Sequence, residues 1–472
     1  MNINIKNFIT NFSYTLISNL MSMAISAIVT LVIPKMIGIE EYGYWQLYLF
    51  YSSYVGFLHF GWNDGIYLKY GGKEYYELDK KLFFSQFHML VLFQLVIMFT
   101  VLILTNIFVI DQNRAFILKM VSICMFIVNV RCMLLYIMQG TNRIKEYSQV
   151  TAFDRLFYIC SVVILLLANL REYKLMIIAD LCGKLVSLLL SMYYCRDIVF
   201  RKISSFYFSF KETLDNIDVG IKLMFANIAS MLIIGVIRFG IERIWDVATF
   251  GKVSLTLSVS SFLMIFINAV GLVMFPVLRR TNVNKLAEIY STMRDFLMVV
   301  LLGVLIIYYP IKPILSAWLP KYADSLKYMA VLFPMCVYEG KMSLLINTYL
   351  KTLRKEKIML SINVLTLLIS LPIAFITIYW LKNLDFAVMS IVFLLAFRCI
   401  IAEFKLSKIL DINVSKDIIL ELIMTLLFII SGWTVNSYMS IIVYGLSYFM
   451  YIVIKRNDLK KTIQNIKDLL EK

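Results

Sequence analysis

We single out ten ionisable residues within the apolar segments of this chain, because their chemistry needs an explanation first. The basic ones are Arg131, Arg155, Lys184, Lys222, Lys341 and Arg398. The acidic ones are Asp154, Asp180, Glu339 and Glu403. A basic side chain that faces lipid at mid-helix costs about 3 kcal/mol, so six of them would cost roughly 18 kcal/mol. We therefore expect these side chains to face a bundle interior, water or one another.

Ion pairing accounts for part of this set. Asp180 and Lys184 are four positions apart, which places them on one helix face and predicts an ion pair. Asp154 and Arg155 are adjacent and point in different directions, so one of them needs a partner on another helix.

Three further basic residues need separate consideration. Arg131 and Arg398 have no acid one helical turn away, which leaves open a pair with another helix or a place in a polar cavity. For Arg398, near the middle of its helix, we expect the cavity. Lys222 lies near the inner end of its helix, where a long side chain reaches the interface at little cost.

Other kinds of chemistry find little support in the sequence. The two histidines, His59 and His88, are too few and too far apart for a metal site, and the seven cysteines form no C-x-x-C motif. No Walker-type glycine loop occurs, so direct use of ATP is not expected. The sequence predicts a protein that is not an enzyme and has neither cofactor nor metal.

The elements that carry these residues are membrane helices. The chain is 61% hydrophobic and 16% charged, whereas soluble chains are about a quarter charged. A membrane-spanning helix needs about 20 apolar residues. Fourteen segments meet this requirement: 9–37, 44–62, 83–109, 115–139, 147–169, 174–195, 218–238, 251–277, 295–317, 325–350, 357–381, 386–409, 417–433 and 438–455. The fold class is therefore an all-α polytopic membrane protein.

The basic residues also predict the orientation. The net charge of +16 lies mostly in short connections on one side, including 63–82, 196–217 and the C-terminal tail. The positive-inside rule places both termini in the cytoplasm. The same distribution excludes a nucleic-acid-binding domain. Pro310 and Pro313 predict a kink at the outer end of the ninth helix.

A short recurring pattern suggests a duplication. Gly43 and Gly251 are 208 positions apart, each follows an aromatic residue, and each precedes a leucine by four positions. Six helices separate the two copies, so both cross the membrane in the same direction. We predict a parallel pseudo-two-fold repeat of two six-helix bundles, residues 1–200 and 201–410. Two further helices and a basic cytoplasmic tail form residues 411–472.

Two motifs connect the chain to a known family. Ile37-Gly-Ile-Glu-Glu-Tyr-Gly43 with Leu58-His-Phe-Gly-Trp-Asn-Asp-Gly65 resembles the start of bacterial polysaccharide-biosynthesis membrane proteins, the flippases of O-antigen and capsule repeat units. The segment from Gly240 to Leu255, leading to Phe275-Pro-Val-Leu278, is similar to their second-half signature. The resemblance implies the two-lobed fold of the multidrug/oligosaccharidyl-lipid/polysaccharide exporter superfamily. Unlike lipid II flippases of that fold, this chain has no arginine in its first helix.

The resemblance implies a substrate and a place of action. A polyprenyl-diphosphate-linked oligosaccharide would be moved from the cytoplasmic to the outer leaflet of the bacterial plasma membrane by alternating access. The six basic residues would bind its diphosphate, since Arg binds phosphate through two hydrogen bonds and Lys as a point charge. Asp154, Asp180 and Glu339 are candidates for coupling to an ion. Membrane lipids, a polymerase and glycosyltransferases of the same pathway are expected partners, and nucleic acid is not.

Two alternatives remain open at this stage. A drug/cation antiporter of the same fold would need an acidic site in the membrane, whereas basic residues outnumber acidic ones six to four in the sets above. A membrane polymerase or ligase would need a large outward loop with catalytic residues, and every predicted outward connection is short.

Overall fold

The computed structural model describes residues 21, 24–262, 264, 286–434 and 439–470, which form helices and no strands. The helices of the first half are α1 Ala24–Met36, α2 Ile39–Ser52, α3 Trp62–Tyr70, α4 Lys80–Phe108, α5 Gln112–Gly140, α6 Ile144–Leu167 and α7 Tyr173–Tyr194. Those that follow are α8 Phe210–Ile244, α9 Val247–Ser260, α10 Leu286–Trp318, α11 Ser325–Thr352, α12 Glu356–Trp380, α13 Leu384–Leu410, α14 Ser415–Thr434 and α15 Met439–Leu470.

Eleven of these helices, α4 to α8 and α10 to α15, are long and apolar enough to cross a membrane. They coincide with eleven of the fourteen predicted segments, so the all-α polytopic membrane fold is confirmed. The first predicted segment lies only partly within the described residues, as α1. The eighth, 251–277, begins in α9 and lies mostly outside the described residues. The second predicted segment, 44–62, is not continuous and is described below.

Polar side chains mark where several helices begin. Asp79 accepts hydrogen bonds from the backbone N–H groups of Lys81 and Leu82 at the start of α4. Asp111 and Asp246 cap α5 and α9 in the same way. Because the first N–H groups of a helix have no partner within it, such caps determine where each span starts.

Proline interrupts the α-helical geometry of α10. A 3₁₀ segment, Leu305–Ile307, precedes Pro310, and helical geometry resumes at Tyr308–Trp318 with Pro313 inside it. A proline lacks the N–H that the carbonyl four residues earlier would bind, so the helix tightens ahead of it. The 3₁₀ segment lies at the outer end of the helix, and the kink predicted there stays a prediction.

The second predicted span, 44–62, is not one continuous helix. It runs as α2, a 3₁₀ turn Val55–His59 and α3, with Phe60 and Gly61 in the left-handed region at φ 52° and 82°. We call residues 53–61 the helix-2 break. Beyond it α3 continues to Tyr70, into a stretch that the sequence had assigned to a connection. That assignment was wrong, because α3 buries Trp62 and Ile66 against the bundle.

Close backbone packing explains the position of the helix-2 break. A Cβ atom on Gly65 would lie 1.8 Å from the carbonyl oxygen of Asn216, and one on Gly220 would lie 2.0 Å from the carbonyl oxygen of Gly61. The start of α8 therefore packs directly on the backbone of α3 and of the break. Only glycine permits this approach.

The chain divides into two compact units, Met1–Ile228 and Ala229–Lys472, and the division falls within α8. In the first unit α5 packs against α3, α4 and α7, and α6 packs against α7. In the second, α15 packs against α10 and α14, and α12 against α13. The predicted boundaries at 200 and 410 follow a sequence duplication, which this division does not test, so they stay predictions.

Candidate functional site

The first unit brings Arg131 of α5 and Asp154 of α6 together. The Nη1 atom of Arg131 lies 2.6 Å from Oδ2 of Asp154 and also donates to Oγ of Ser187, at 2.9 Å. Asp154 is thus the member of the Asp154–Arg155 pair that finds a partner elsewhere. Because the two charges compensate each other in a buried setting, Arg131 contributes little net charge to a binding site.

The predicted pair between Asp180 and Lys184 of α7 is confirmed. The hydroxyl of Tyr48 in α2 also donates to Oδ2 of Asp180, at 2.6 Å. The Lys184 ammonium lies 5.6 Å from the centre of the Tyr48 ring. A carboxylate, a phenol and an ammonium therefore form one cluster that links α2 to α7.

Arg155 of α6 differs from Arg131 and Lys184 in its exposure and in its lack of a described partner. It is exposed, and it makes no hydrogen bond or ion pair with any residue that the structure describes. On the α-helical wheel it lies on the same face as the buried residues Ser148, Tyr158 and Val162, which are seven, three and seven positions away.

The lipid-facing stripe of α6 lies on the opposite face. Its apolar members are Phe153, Phe157, Ile164 and Leu167, which are all exposed. Arg155 is therefore an exposed guanidinium on a face of α6 whose neighbouring positions are buried. Arg155 also lies within electrostatic range of Asp180.

Lys222 of α8 is exposed as well, but its surroundings are different. Three positions before and after it lie Val219 and Phe225, both exposed and apolar. Because α8 begins at Phe210, Lys222 lies twelve residues inside the helix and not near its end, as the predicted start at 218 had implied.

Arg398 of α13 is buried, contrary to the expectation that it faces a polar cavity. Its Nη2 atom lies 3.3 Å from Oε2 of Glu339 in α11, and Nη1 donates to Oγ of Ser230 in α8, at 3.1 Å. Only 4% of its side chain is exposed. A guanidinium enclosed by three helices needs a counter-charge, and Glu339 supplies it. The geometry favours the ion pair, which the sequence had left open.

Lys341 of α11 is also removed from accessible space. Its ammonium donates to Glu403 of α13 and to Oε2 of Glu421 in α14, the latter at 2.6 Å. The guanidinium of Arg294 in α10 bonds the other oxygens of the same two glutamates, at 2.6 Å each. Two cations and two anions therefore alternate in a closed arrangement.

This arrangement extends further through buried charges that join α10, α11, α13, α14 and α15. The Lys455 ammonium lies 2.9 Å from Asp417 and 2.8 Å from Asp295, and Asp417 also contacts Arg294, at 3.1 Å. We call the set the C-terminal ionic network: Arg294, Asp295, Lys341, Glu403, Asp417, Glu421 and Lys455. Sequence reasoning missed it, having placed Arg294 in a connection and passed over Asp417 and Glu421.

The geometry thus separates the predicted site residues into groups. Arg131, Lys184, Lys341 and Arg398 each have a carboxylate partner, while Arg155 and Lys222 have none among the described residues. As sites of substrate binding, all six stay predictions. Asp154, Asp180 and Glu339 each have a basic partner, and their role in ion coupling also stays a prediction.

Comparison with solved structures decides the fold family. The chain is similar to a lipid II flippase, MurJ, in an inward closed conformation, with a TM-score of 0.66 at 12% identity over 95% of this chain and 99% of that one. It is similar to an inward-facing multidrug resistance MATE family transporter, with a TM-score of 0.59 at 12% identity over 89% and 100% of the two chains. The protein has the fold of the MOP superfamily.

A third similar structure is a MOP superfamily transporter from Pyrococcus furiosus, with a TM-score of 0.50 at 12% identity over 85% and 95% of the two chains. No family model and no curated protein matches the sequence. The fold that the sequence resemblance implied is confirmed. At 12% identity, the likeness extends to the fold alone.

Proposed function

We propose that the protein is a flippase that moves polyprenyl-diphosphate-linked oligosaccharide from the cytoplasmic to the outer leaflet of a bacterial plasma membrane, for surface polysaccharide assembly. Its MOP fold supports a transporter, and one similar structure is named as a lipid II flippase. The observation that carries the proposal is Arg155, an exposed cation on the packed face of α6.

The chemistry of Arg155 suits a diphosphate. A guanidinium presents donors in a planar fork that bonds two phosphate oxygens at once. The neighbouring charges of Asp180 and Lys184 cancel, so Arg155 leaves this part of the first unit with a net positive charge. An accessible cation in a membrane helix attracts an anionic group that is carried into the protein. No bond needs to be made or broken, which agrees with a protein that is not an enzyme.

The other expected partners of the protein are lipids and enzymes of the same polysaccharide pathway. The polyprenyl tail stays in lipid while the diphosphate and the sugars pass through the protein by alternating access. Glycosyltransferases that build the repeat unit act before the flippase on the cytoplasmic side. A polymerase uses the product on the outer side. Both termini of the flippase lie in the cytoplasm.

A drug/cation antiporter is less favoured by the same geometry. It needs an accessible carboxylate, and the three predicted acids are already paired: Asp154 with Arg131, Asp180 with Lys184 and Glu339 with Arg398. A membrane polymerase needs a large loop, whereas described connections on the proposed outer side, such as 109–111 and 168–172, are short.

Deletion of the gene tests the proposal. We expect lipid-linked repeat units to accumulate in the cytoplasmic leaflet, and complementation with the wild-type gene to remove them. Arg155→Ala should fail to complement. Arg171→Ala, which removes an exposed arginine from the connection 168–172, should complement fully. Drug hypersensitivity without accumulation of the repeat units would contradict the flippase and favour the antiporter.

A further inference from the structure

One buried carboxylate, that of Asp64, has no partner that neutralises it. Asp64 lies in the first turn of α3, immediately after the helix-2 break, and 10% of its side chain is exposed. It accepts no hydrogen bond from any residue that the structure describes. The nearest basic atom is Nε2 of His59, at 3.7 Å, which is longer than a hydrogen bond.

The backbone determines which nitrogen of His59 carries a proton. The N–H of Gly61 donates to Nδ1 of His59, at 3.1 Å, so Nδ1 carries its lone pair and no proton. The ring is then neutral with its proton on Nε2, the atom that faces Asp64. His59 therefore offers a weak donor and no counter-charge.

The other groups around Asp64 supply no counter-charge either. From α5, Cys132 and Tyr136 lie within electrostatic range of the carboxylate, and both are neutral or acidic groups. From α8, the residues at the contact with α3 are Asn216 and Gly220, which are uncharged. Arg131, next to Cys132, is already paired with Asp154.

Two opposing effects act on the charge of Asp64. Burial without a partner favours the protonated form. The position in the first turn of α3 favours the carboxylate, because the N-terminus of a helix carries partial positive charge. A group under such opposed effects can exist in both forms, and its partial exposure leaves a path for the proton.

We propose that Asp64 is a proton-binding site that couples the helix-2 break to pH. A proton from water binds the carboxylate and leaves a neutral carboxyl group, which then donates to a neighbouring acceptor. The next residue, Gly65, packs on the backbone of α8, the helix within which the chain divides into its two units. Protonation of Asp64 therefore takes place directly beside the contact between α3 and α8. This deepens the proposed transport function, and rests on it only for the transport measurement.

Proton uptake by purified protein tests the site without transport. Protein in detergent is titrated with a pH-indicator dye, comparing the wild type with Asp64→Asn. We expect the variant to bind about one proton fewer per molecule between about pH 8 and pH 5, a range in which an exposed aspartate with the usual pKa of about 3.9 stays ionised. The control is Asp215→Asn, which removes an exposed carboxylate of α8 and should leave proton uptake in this range unchanged. Identical proton uptake by Asp64→Asn and the wild type in this range would overturn the proposal.

Three further measurements distinguish proton binding from poor folding, from metal binding and from failure of the proposed function. Asp64→Glu keeps a carboxyl group, so it should retain the proton step with a displaced midpoint even if Asp64→Asn folds poorly. A sodium-dependent rise in Tm of the wild type that Asp64→Asn abolishes would overturn the proton assignment, because the site would then bind a metal cation. If repeat units flip at a rate that no longer depends on pH in Asp64→Asn, both proposals are supported. If the wild type takes up the proton but never flips them, only the proposed function fails.

Discussion

The Nε atom of Arg294 lies 2.6 Å from Oε1 of Glu403, and at most 2% of either side chain is exposed. The two residues are 109 positions apart in the sequence, so tertiary packing alone brings them together. Each charge has lost its hydration and depends on the other and on the rest of the C-terminal ionic network. Removal of one partner leaves an uncompensated buried charge, which is far more costly than the loss of an exposed pair.

Glu403→Gln should therefore destabilise the protein strongly. We expect a loss of about 3–5 kcal/mol, because Arg294 and Lys341 both lose charge compensation. Thermal unfolding in detergent measures the effect as a lower Tm. The matched control is Asp385→Asn, which breaks the exposed pair with Lys327, at 3.2 Å, and should cost less than about 1 kcal/mol. Equal shifts of Tm in the two variants would contradict a stabilising role for the network.

Gly65→Ala tests the close contact between α3 and α8. The new Cβ would lie 1.8 Å from the carbonyl oxygen of Asn216, which is backbone and cannot rotate away. We expect a cost at or above the upper end of the ~1–3 kcal/mol typical of overpacking. Gly56→Ala is the control within the helix-2 break, because nothing lies within 4 Å of its Cβ position. Size-exclusion chromatography should show monodisperse protein for the control only. Equal behaviour of both variants would show that the helices do not approach so closely.

The Arg131–Asp154 pair should behave as one unit in a double-mutant cycle. Arg131→Met and Asp154→Leu each leave a buried charge, whereas the double variant leaves none. We expect the double variant to be more stable than the sum of the single losses predicts, by about 0.5–3 kcal/mol. Thermal unfolding of the four proteins in one detergent gives the value. Additive losses would show that the two side chains do not interact.

The sequence predicted the helices and their class because both depend on local composition. Runs of about 20 apolar residues are needed to cross the bilayer wherever they occur, so α4 to α8 and α10 to α15 were recognised. The ion pair of Asp180 and Lys184 was predicted for the same reason, because residues four positions apart on a helix lie on the same face and can contact each other. The helix-2 break was not predicted, because the left-handed conformation of Phe60 and Gly61 depends on how α8 packs there.

Contacts between helices that are far apart in the sequence could not be predicted, for a physical reason. Periodicity shows which face of a helix is polar, but not which helix lies opposite. The partner of Arg398 is Glu339, 59 positions away, and no spacing rule selects it. Arg294 and Glu421 lie near helix ends, where charge ordinarily meets water at the interface. Only their burial reveals the network.

Arg155 should decide how strongly the protein binds a diphosphate. We expect Arg155→Ala to reduce the affinity for a polyprenyl diphosphate at least about tenfold, since a charge-assisted hydrogen bond is worth about 1.5–3 kcal/mol. Arg155→Lys should retain part of the affinity, because the charge remains while the two-point contact is lost. Titration in detergent, monitored by native mass spectrometry, measures both, with Arg171→Ala as the control. Unchanged affinity in Arg155→Ala would remove Arg155 from the site.

The most direct measurement is flipping by the purified protein in liposomes. A fluorescent polyprenyl-diphosphate oligosaccharide is incorporated, and a membrane-impermeant quencher reports how fast the labelled lipid changes leaflet. We predict that the wild type and Arg171→Ala accelerate this exchange at least about tenfold over Arg155→Ala, in line with the expected loss of binding. Exchange in wild-type vesicles no faster than in protein-free vesicles, or equal rates for Arg155→Ala and the wild type, would contradict the proposed function.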